Sequence, residues 1–173
     1  MNVLFASNGK VSSELDSMYF MLEGTIPEQE SRFISIHGGN TDKIKKERLT
    51  RELKRAHVMI WVLMDHDLQA ALTVANLAKQ QGCITVMLNP RELQPAENLA
   101  IEDGVDVVLQ GWNLQSFRDV MSYIAMNPRG ILLRDIPGIA YCDEIGELIT
   151  ISPDNELTWE QICVPCFQNV SKE

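Results

Sequence analysis

Three short segments carry residues that could bind a ligand or take part in a reaction, and each of them follows an apolar run. They are Ser7-Asn8-Gly9, Asp65-His66-Asp67 and Gly111-Trp112. The acid–histidine–acid triplet offers donors for a metal ion or for acid–base chemistry. Adjacent side chains rarely converge on one atom, however, and an aspartate such as Asp65 commonly caps the helix that follows it. A helix start is therefore the interpretation that we favour for this triplet.

The spacings of common catalytic and phosphate-binding motifs are missing from the sequence. Residues 7–12 contain one glycine, too few for a phosphate loop, and no G-x-S-x-G hydrolase motif is present. Cys163-Val164-Pro165-Cys166 is an isolated CxxC. Zinc would need two further ligands, so we interpret this motif as incidental. Without a nucleophile–base pair, the chain alone is not expected to be an enzyme.

The elements that must position these segments are read from hydrophobic periodicity. Residues 57–64 form an apolar run typical of a strand buried on both faces, and residues 68–82 follow at helical spacing. Residues 84–88 form a second buried run, which completes a βαβ unit with parallel strands. Central strand residues are expected to be almost fully buried: Val58, Ile60, Val62, Val86, Leu88, Val107 and Leu109.

The βα pattern repeats along the chain and predicts an α/β fold. Strands are expected at residues 3–6, 32–36, 57–64, 84–88 and 105–109, each followed by a helix. This pattern predicts a doubly wound five-stranded parallel sheet, flavodoxin-like, in the order 2-1-3-4-5. Residues 138–142 and 147–151 predict a C-terminal β-hairpin. We therefore expect a domain at residues 1–130 and a hairpin with a linker-like tail at residues 131–173.

Parallel sheets of this kind bind ligands outside the carboxyl ends of their strands. Any cofactor-binding site is therefore expected on the exit loops, at Ser7, Asn8, Gly9, Asp65, His66, Asn89, Gly111 and Trp112. Trp112 has two interpretations: an indole packed under the C-terminal hairpin, or an aromatic wall for a planar ligand. No catalytic residue and no metal site is expected.

Composition limits the partners and the location. The net charge of −9 argues against general binding to nucleic acid or to an anionic membrane surface. No apolar run reaches membrane-spanning length and the chain opens on a strand, so a cytoplasmic location is expected. The exception to this acidity is the predicted helix at residues 42–56, which carries seven basic side chains. It is either a solvated face or a docking face for an acidic partner.

Three late stretches share a pattern with a known family. Residues 105–117 resemble a vDfVv-GEGE-tf stretch, residues 136–149 resemble an I-G-i-a-y…dG-i hairpin, and residues 157–167 resemble an lD-lP-Paf linker. On these motifs the chain resembles the N-terminal cobalamin-binding-type domain of cobalamin-dependent radical S-adenosylmethionine enzymes. The resemblance implies a corrin held against the carboxyl edge of the sheet and a radical S-adenosylmethionine catalytic domain, or another protein, as partner.

Several departures from the family pattern limit what is carried over. Trp112-Asn113-Leu114 replaces most of GEGE, of which Gly111 remains. The D-x-H-x-x-G signature for a lower axial histidine is absent, as is the CxxxCxxC motif, so no iron–sulfur cluster is expected in this chain. Three functions stay open: a cobalamin-binding-like domain without catalysis of its own, a cofactor-free interaction or regulatory module, and an enzyme for a small molecule or nucleotide.

Overall fold

The computed structural model describes residues 1–8, 22, 30–36, 43–64, 67–125, 130 and 132–153. Within these residues the chain forms strands β1 (Asn2–Asn8), β2 (Glu30–Ile36), β3 (Val58–Val62), β4 (Ile84–Asn89), β5 (Val107–Gln110), β6 (Ile139–Cys142) and β7 (Leu148–Thr150). They make one sheet in the order β2-β1-β3-β4-β5-β6-β7. The first five strands are parallel, whereas β6 and β7 are antiparallel. The predicted α/β class with a mostly parallel sheet is confirmed.

Four α-helices lie in the described part of the chain: α1 (Lys43–Leu53), α2 (Leu68–Gln80), α3 (Ala96–Ala100) and α4 (Leu114–Ile124). The helix predicted between the first two strands lies outside the described residues, apart from Leu22, which is helical and buried. The helix predicted at residues 91–103 is shorter because Pro95 precedes its first residue and disfavours helical backbone before it. None of the described helices is long and apolar enough to cross a membrane.

Burial of the sheet on both faces follows from the alternation of side chains along each strand. Val3 and Phe5 join Val58, Ile60 and Val62 in an apolar cluster that includes Leu22 and residues of α4. Leu4, Ala6, Met59 and Trp61 belong to a second cluster, with residues of α1, α2 and α3. All seven predicted core residues are at most 5% exposed. The expectation of a doubly covered sheet is therefore confirmed for these residues.

The C-terminal hairpin is part of the sheet. Val108 and Leu109 of β5 pair with Ala140 and Ile139 of β6, and the amide of Gln110 donates to the carbonyl of Gly138 at 2.7 Å. The sheet predicted with five strands therefore has seven, because the antiparallel hairpin satisfies the backbone groups along the free edge of β5. The boundary predicted at residue 130 stays a prediction.

Truncation of Ile60 tests the central strand. Ile60 is 0% exposed in β3, so Ile60→Ala is expected to lower the free energy of unfolding by about 2–5 kcal/mol through lost burial and a residual cavity. Urea denaturation measures this loss. Ile145→Ala is the control, because Ile145 is 84% exposed and its truncation should change stability by less than about 0.5 kcal/mol. An unchanged midpoint for Ile60→Ala would contradict the placement of β3.

A second stability test uses Gly104, which lies against α2. Its φ is +102°, and a Cβ there would lie 2.8 Å from the backbone nitrogen of Asn76. Gly104→Ala combines a left-handed backbone with a clash against backbone atoms, so we expect a loss of about 2–5 kcal/mol. Gly82 has a φ of +78° and open space at its Cβ position, so Gly82→Ala should cost only the conformational part, about 1–2 kcal/mol. Equal losses in urea denaturation would contradict the packing of Gly104 on α2.

Candidate functional site

The predicted ligand-binding residues that the structure describes lie at one edge of the sheet. Ser7 and Asn8 end β1, Asn89 ends β4, and Gly111 and Trp112 follow β5 directly. Because these three strands are parallel, their carboxyl ends meet at the same edge. The chain leaves β1 for β2 on one side, and β3 lies on the other side, so β1 marks the topological switch point. Three further predicted residues lie outside the described residues: Gly9, Asp65 and His66.

Two buried hydroxyl groups at this edge have no hydrogen-bond partner in the described part of the chain. Ser7 is 1% exposed at the end of β1, and its Oγ is unpartnered. Ser116 is also 1% exposed and unpartnered, in the first turn of α4. A buried hydroxyl without a partner costs about 1–3 kcal/mol, so both groups are available to a ligand that brings a donor or an acceptor. Ser116 was not predicted, since the sequence shows only that it follows Asn113, the cap of α4.

Asn89 is fully engaged by the loop that follows it and by the end of β5. Its side-chain amide donates to the carbonyl of Gln94 at 2.6 Å and to Oε1 of Gln110 at 3.0 Å, while its Oδ1 accepts from the amide of Leu93 at 3.0 Å. Its backbone carbonyl accepts from the amides of Glu92 and Gly111. With these bonds made and the residue 0% exposed, Asn89 shapes the edge of the site and has little capacity left for a ligand.

Glu92 adds backbone strain next to Gly111. Its φ of +51° places it in the left-handed region, which costs a residue other than glycine about 1–3 kcal/mol. Its Oε1 lies 3.7 Å from the position that a Cβ on Gly111 would take. Glu92 is therefore a residue at the candidate site that the sequence did not predict. The motif Asn89-Pro90 predicts a turn, but it does not indicate which later residue adopts a positive φ.

Trp112 is buried in the apolar cluster that contains Phe117, Ile136 and Ile139. Only 5% of the residue is exposed, so the indole does not present an open face at the edge of the sheet. A crevice of about 10 Å³ runs beside it, lined by Leu22, Leu88, Leu109, Gly111, Asn113, Leu114 and Phe117. That volume corresponds to about one water molecule. A planar ligand would therefore lie over this region and could stack on the indole only after its neighbours move.

The turn after β3 is held by Asp67. Its carboxylate accepts from Nε1 of Trp61 at 3.2 Å and from the amide of Met64 at 3.2 Å, and the residue is 3% exposed. Asp67, and not Asp65, directly precedes α2, and its side chain makes no capping bond to that helix. The prediction of Asp65 as the cap is therefore corrected: the residue that precedes α2 is Asp67, and its hydrogen-bond donors come from β3 (Trp61) and from the segment after β3 (Met64).

A wider groove lies at the opposite edge of the sheet. It measures about 700 Å³ and is lined by the first residues of β4 and β5 together with Lys79, Tyr123, Tyr141 and Cys142. Burial raises the pKa of the Tyr141 phenol, and a hydrogen bond from Lys79 to Asp103 raises the pKa of that ammonium group. These shifts stabilise the neutral phenol and the charged amine, so they leave neither group activated for proton transfer at neutral pH.

Possible metal ligands do not cluster in the described part of the chain. There, no three His, Cys, Asp or Glu side chains group as metal ligands. His57 lies at the amino edge of the sheet, where its Nδ1 accepts from the amide of Asn2 at 2.9 Å. Among the described residues, the carboxyl edge therefore presents hydrogen-bonding groups and a surface contour to a ligand.

Comparison with known proteins gives matches by structure alone. No family model matches the chain, and no curated protein matches it. Three solved structures match, all of the cobalamin-dependent S-adenosylmethionine radical enzyme OxsB: with aqua-cobalamin and S-adenosylmethionine bound, with aqua-cobalamin bound, and apo. Each has a TM-score of 0.62 and 13–14% sequence identity, and each covers 89% of this chain.

The chain spans 22% of the length of these enzymes. At 13–14% identity the match concerns the fold alone. The resemblance that the sequence motifs indicated is confirmed as a likeness of fold. The chain therefore has the same fold as a segment that makes up about one fifth of a cobalamin-dependent S-adenosylmethionine radical enzyme.

Proposed function

We propose that this chain is a cobalamin-binding domain of flavodoxin-like architecture that holds a corrin against the carboxyl edge of its sheet. The supporting observation is the fold match over 89% of the chain to an enzyme whose structure is described with aqua-cobalamin bound. The order of the five parallel strands supports the flavodoxin-like assignment, since in that order the switch point lies at β1.

The residues at this edge fit a large ligand that lies across the strand ends. The proposed site consists of Ser7, Asn8, Gly9, Asp65, His66, Asn89, Gly111 and Trp112. A corrin carries amide groups around its ring, and the unpartnered hydroxyls of Ser7 and Ser116 suit such groups. Gly111, with a φ of +70° and no side chain, permits close approach of a ligand to the backbone. The crevice beside Trp112 is too small for the corrin, so this residue forms the floor of the site.

The partner that we propose is a radical S-adenosylmethionine catalytic domain, in the same polypeptide or in another one. The basis is that the matching enzymes are several times longer than this chain. In this proposal residues 1–130 bind the cofactor and residues 131–173 lead towards the partner. The chain itself supplies neither catalysis nor an iron–sulfur cluster, and it works in the cytoplasm without contact to nucleic acid or membrane.

A second candidate is a cofactor-free interaction or regulatory module on the same fold. The burial of Trp112 and the complete hydrogen bonding of Asn89 favour it, because both residues contact their own chain in place of a ligand. The replacement of GEGE by Trp112-Asn113-Leu114 also favours it. The third candidate, an enzyme for a small molecule or nucleotide, has no specific observation in its favour.

Titration with hydroxocobalamin tests the proposal. We expect the visible absorption bands of the cofactor to shift on binding and the cofactor to co-elute with the protein in gel filtration. Ser7→Ala should weaken binding about two- to thirteenfold, the effect of one hydrogen bond of about 0.5–1.5 kcal/mol. The same change should leave the free energy of unfolding unchanged or raise it, because it removes a buried hydroxyl without a partner. Loss of binding without loss of stability would mark Ser7 as a ligand-binding residue.

Thr85→Val is the matched control for Ser7→Ala. Thr85 is 0% exposed and its hydroxyl is also unpartnered, but it lies near the amino end of β4. Its replacement should leave cobalamin binding unchanged. Trp112→Ala and His66→Ala then separate an aromatic contact from axial ligation, since only loss of an axial ligand should alter the bands of the bound cofactor. A wild-type protein with neither spectral change nor co-elution would reject cobalamin and leave the cofactor-free module.

A further inference from the structure

The positive charge of this acidic protein is concentrated on one helix. Residues 43–56 carry seven of the 15 lysines and arginines and only two acidic residues, whereas the whole chain has a net charge of −9. This stretch consists of α1 and the turn that follows it. Charge segregation of this kind gives a local surface whose electrostatic potential is opposite to that of the molecule as a whole.

The exposed face of α1 and of the turn that follows it carries a basic stripe, which we define as Lys46, Thr50, Arg51 and Lys54. These residues recur at the spacing that places side chains along one face of a helix. Lys46, Arg51 and Lys54 are exposed, while Leu49 and Leu53 are buried against the sheet. With Glu47, the stripe lines an open groove of about 660 Å³. The burial of Leu49 and Leu53 therefore determines which face of α1 is exposed.

Within the described residues, no ion pair involves the cations of the basic stripe. The structure records an ion pair between Lys79 and Asp103 at 2.6 Å, but in the described part of the chain none for Lys46, Arg51 or Lys54. The hydroxyl of Thr50 donates to the carbonyl of Lys46 at 2.8 Å and so is occupied within the helix. These three cations form no ion pair among the described residues and lie within about two turns of one another. Their like charges repel, and an anionic partner would relieve that repulsion.

We propose that the basic stripe is a docking surface for an acidic segment of a partner protein. Charge complementarity and the limited length of the helix support this occupant. α1 is about 16 Å long, a distance that five or six extended residues span. A short acidic segment meets only the stripe. A long polyanion such as duplex DNA also meets the acidic remainder of the surface, which disfavours it. This proposal does not depend on cobalamin, because α1 carries none of the proposed cofactor-binding residues.

Fluorescence anisotropy with a labelled peptide of about ten residues, alternating glutamate and leucine, tests the docking surface on the full chain. We expect binding at about 50 mM salt that weakens strongly at about 300 mM, as the Debye length shortens. Arg51→Glu with Lys54→Glu should reduce the affinity at least tenfold. The charge-conserving pair Arg51→Lys with Lys54→Arg should retain it. Arg118→Glu is the control, since Arg118 is exposed on α4 and its reversal should change the affinity less than twofold.

Three results would overturn the proposal. The first is equal peptide binding by wild type and the Arg51→Glu, Lys54→Glu variant, with circular dichroism showing both folded. The second is tighter binding of a duplex of about 20 base pairs than of the peptide, which would make nucleic acid the occupant. The third is self-association in sedimentation that the double reversal abolishes, which would make the occupant a second copy of this chain. Each readout is made without cobalamin, so failure here is distinct from failure of the cofactor proposal.

Discussion

A parallel sheet must be covered on both faces, and this constraint governs the rest of the molecule. All five residues of β3 are buried, so neither of its faces meets water. The connections between parallel strands therefore have to be helices that cross over a face. Once both faces are covered, the edges where strands end are the places where the chain can present polar groups to a ligand. The candidate site and the groove of about 700 Å³ lie at such ends for this reason.

The carboxyl edge shows two different uses of buried polar groups. Asn89 has its donors and acceptors matched by the loop that follows it and by Gln110 of β5, which ties that loop to the neighbouring strand. Ser7 is equally buried but leaves its hydroxyl unmatched. In the folded chain the first arrangement stabilises and the second destabilises. An unmatched hydroxyl at the switch point is therefore where a gain from ligand binding would be largest.

The strands and the core could be predicted from the sequence because their signal is local. The run at residues 57–64 is apolar throughout, which predicts burial on both faces, and Val58, Ile60 and Val62 are at most 5% exposed. The joining of the hairpin to the sheet was not predicted. It depends on the free edge of β5, which meets Ala140 some 30 residues later, and hydrophobic periodicity does not reveal such pairing. The same limit applies to Asp67, whose partner Trp61 lies in the preceding strand.

The candidate site was predicted as a location more successfully than as a set of contacts. The rule for parallel strands brings Ser7, Asn89 and Gly111 to one edge, as the structure places them. Which of them has capacity left for a ligand depends on neighbours such as Gln94 and Gln110, which nothing in the motif around Asn89 indicates. Trp112 illustrates the same point. Its exposure decides between an aromatic wall and an indole packed under the C-terminal hairpin, and the exposure depends on the cluster in which it packs.

The two proposed surfaces are separate in the fold, and this bears on how they would act together. The basic stripe belongs to a helix that covers one face of the sheet, whereas the unpartnered hydroxyls of Ser7 and Ser116 lie at its carboxyl edge. Coupling between the two surfaces would require a structural element with two conformations, and each ligand would have to shift the equilibrium between them. The buried strand β3, which follows α1 in the chain, is held by pairing on both sides. The binding free energies of the two ligands are accordingly expected to be additive. Docking on the basic stripe would position the domain against its partner, and the carboxyl ends of the strands would hold the ligand.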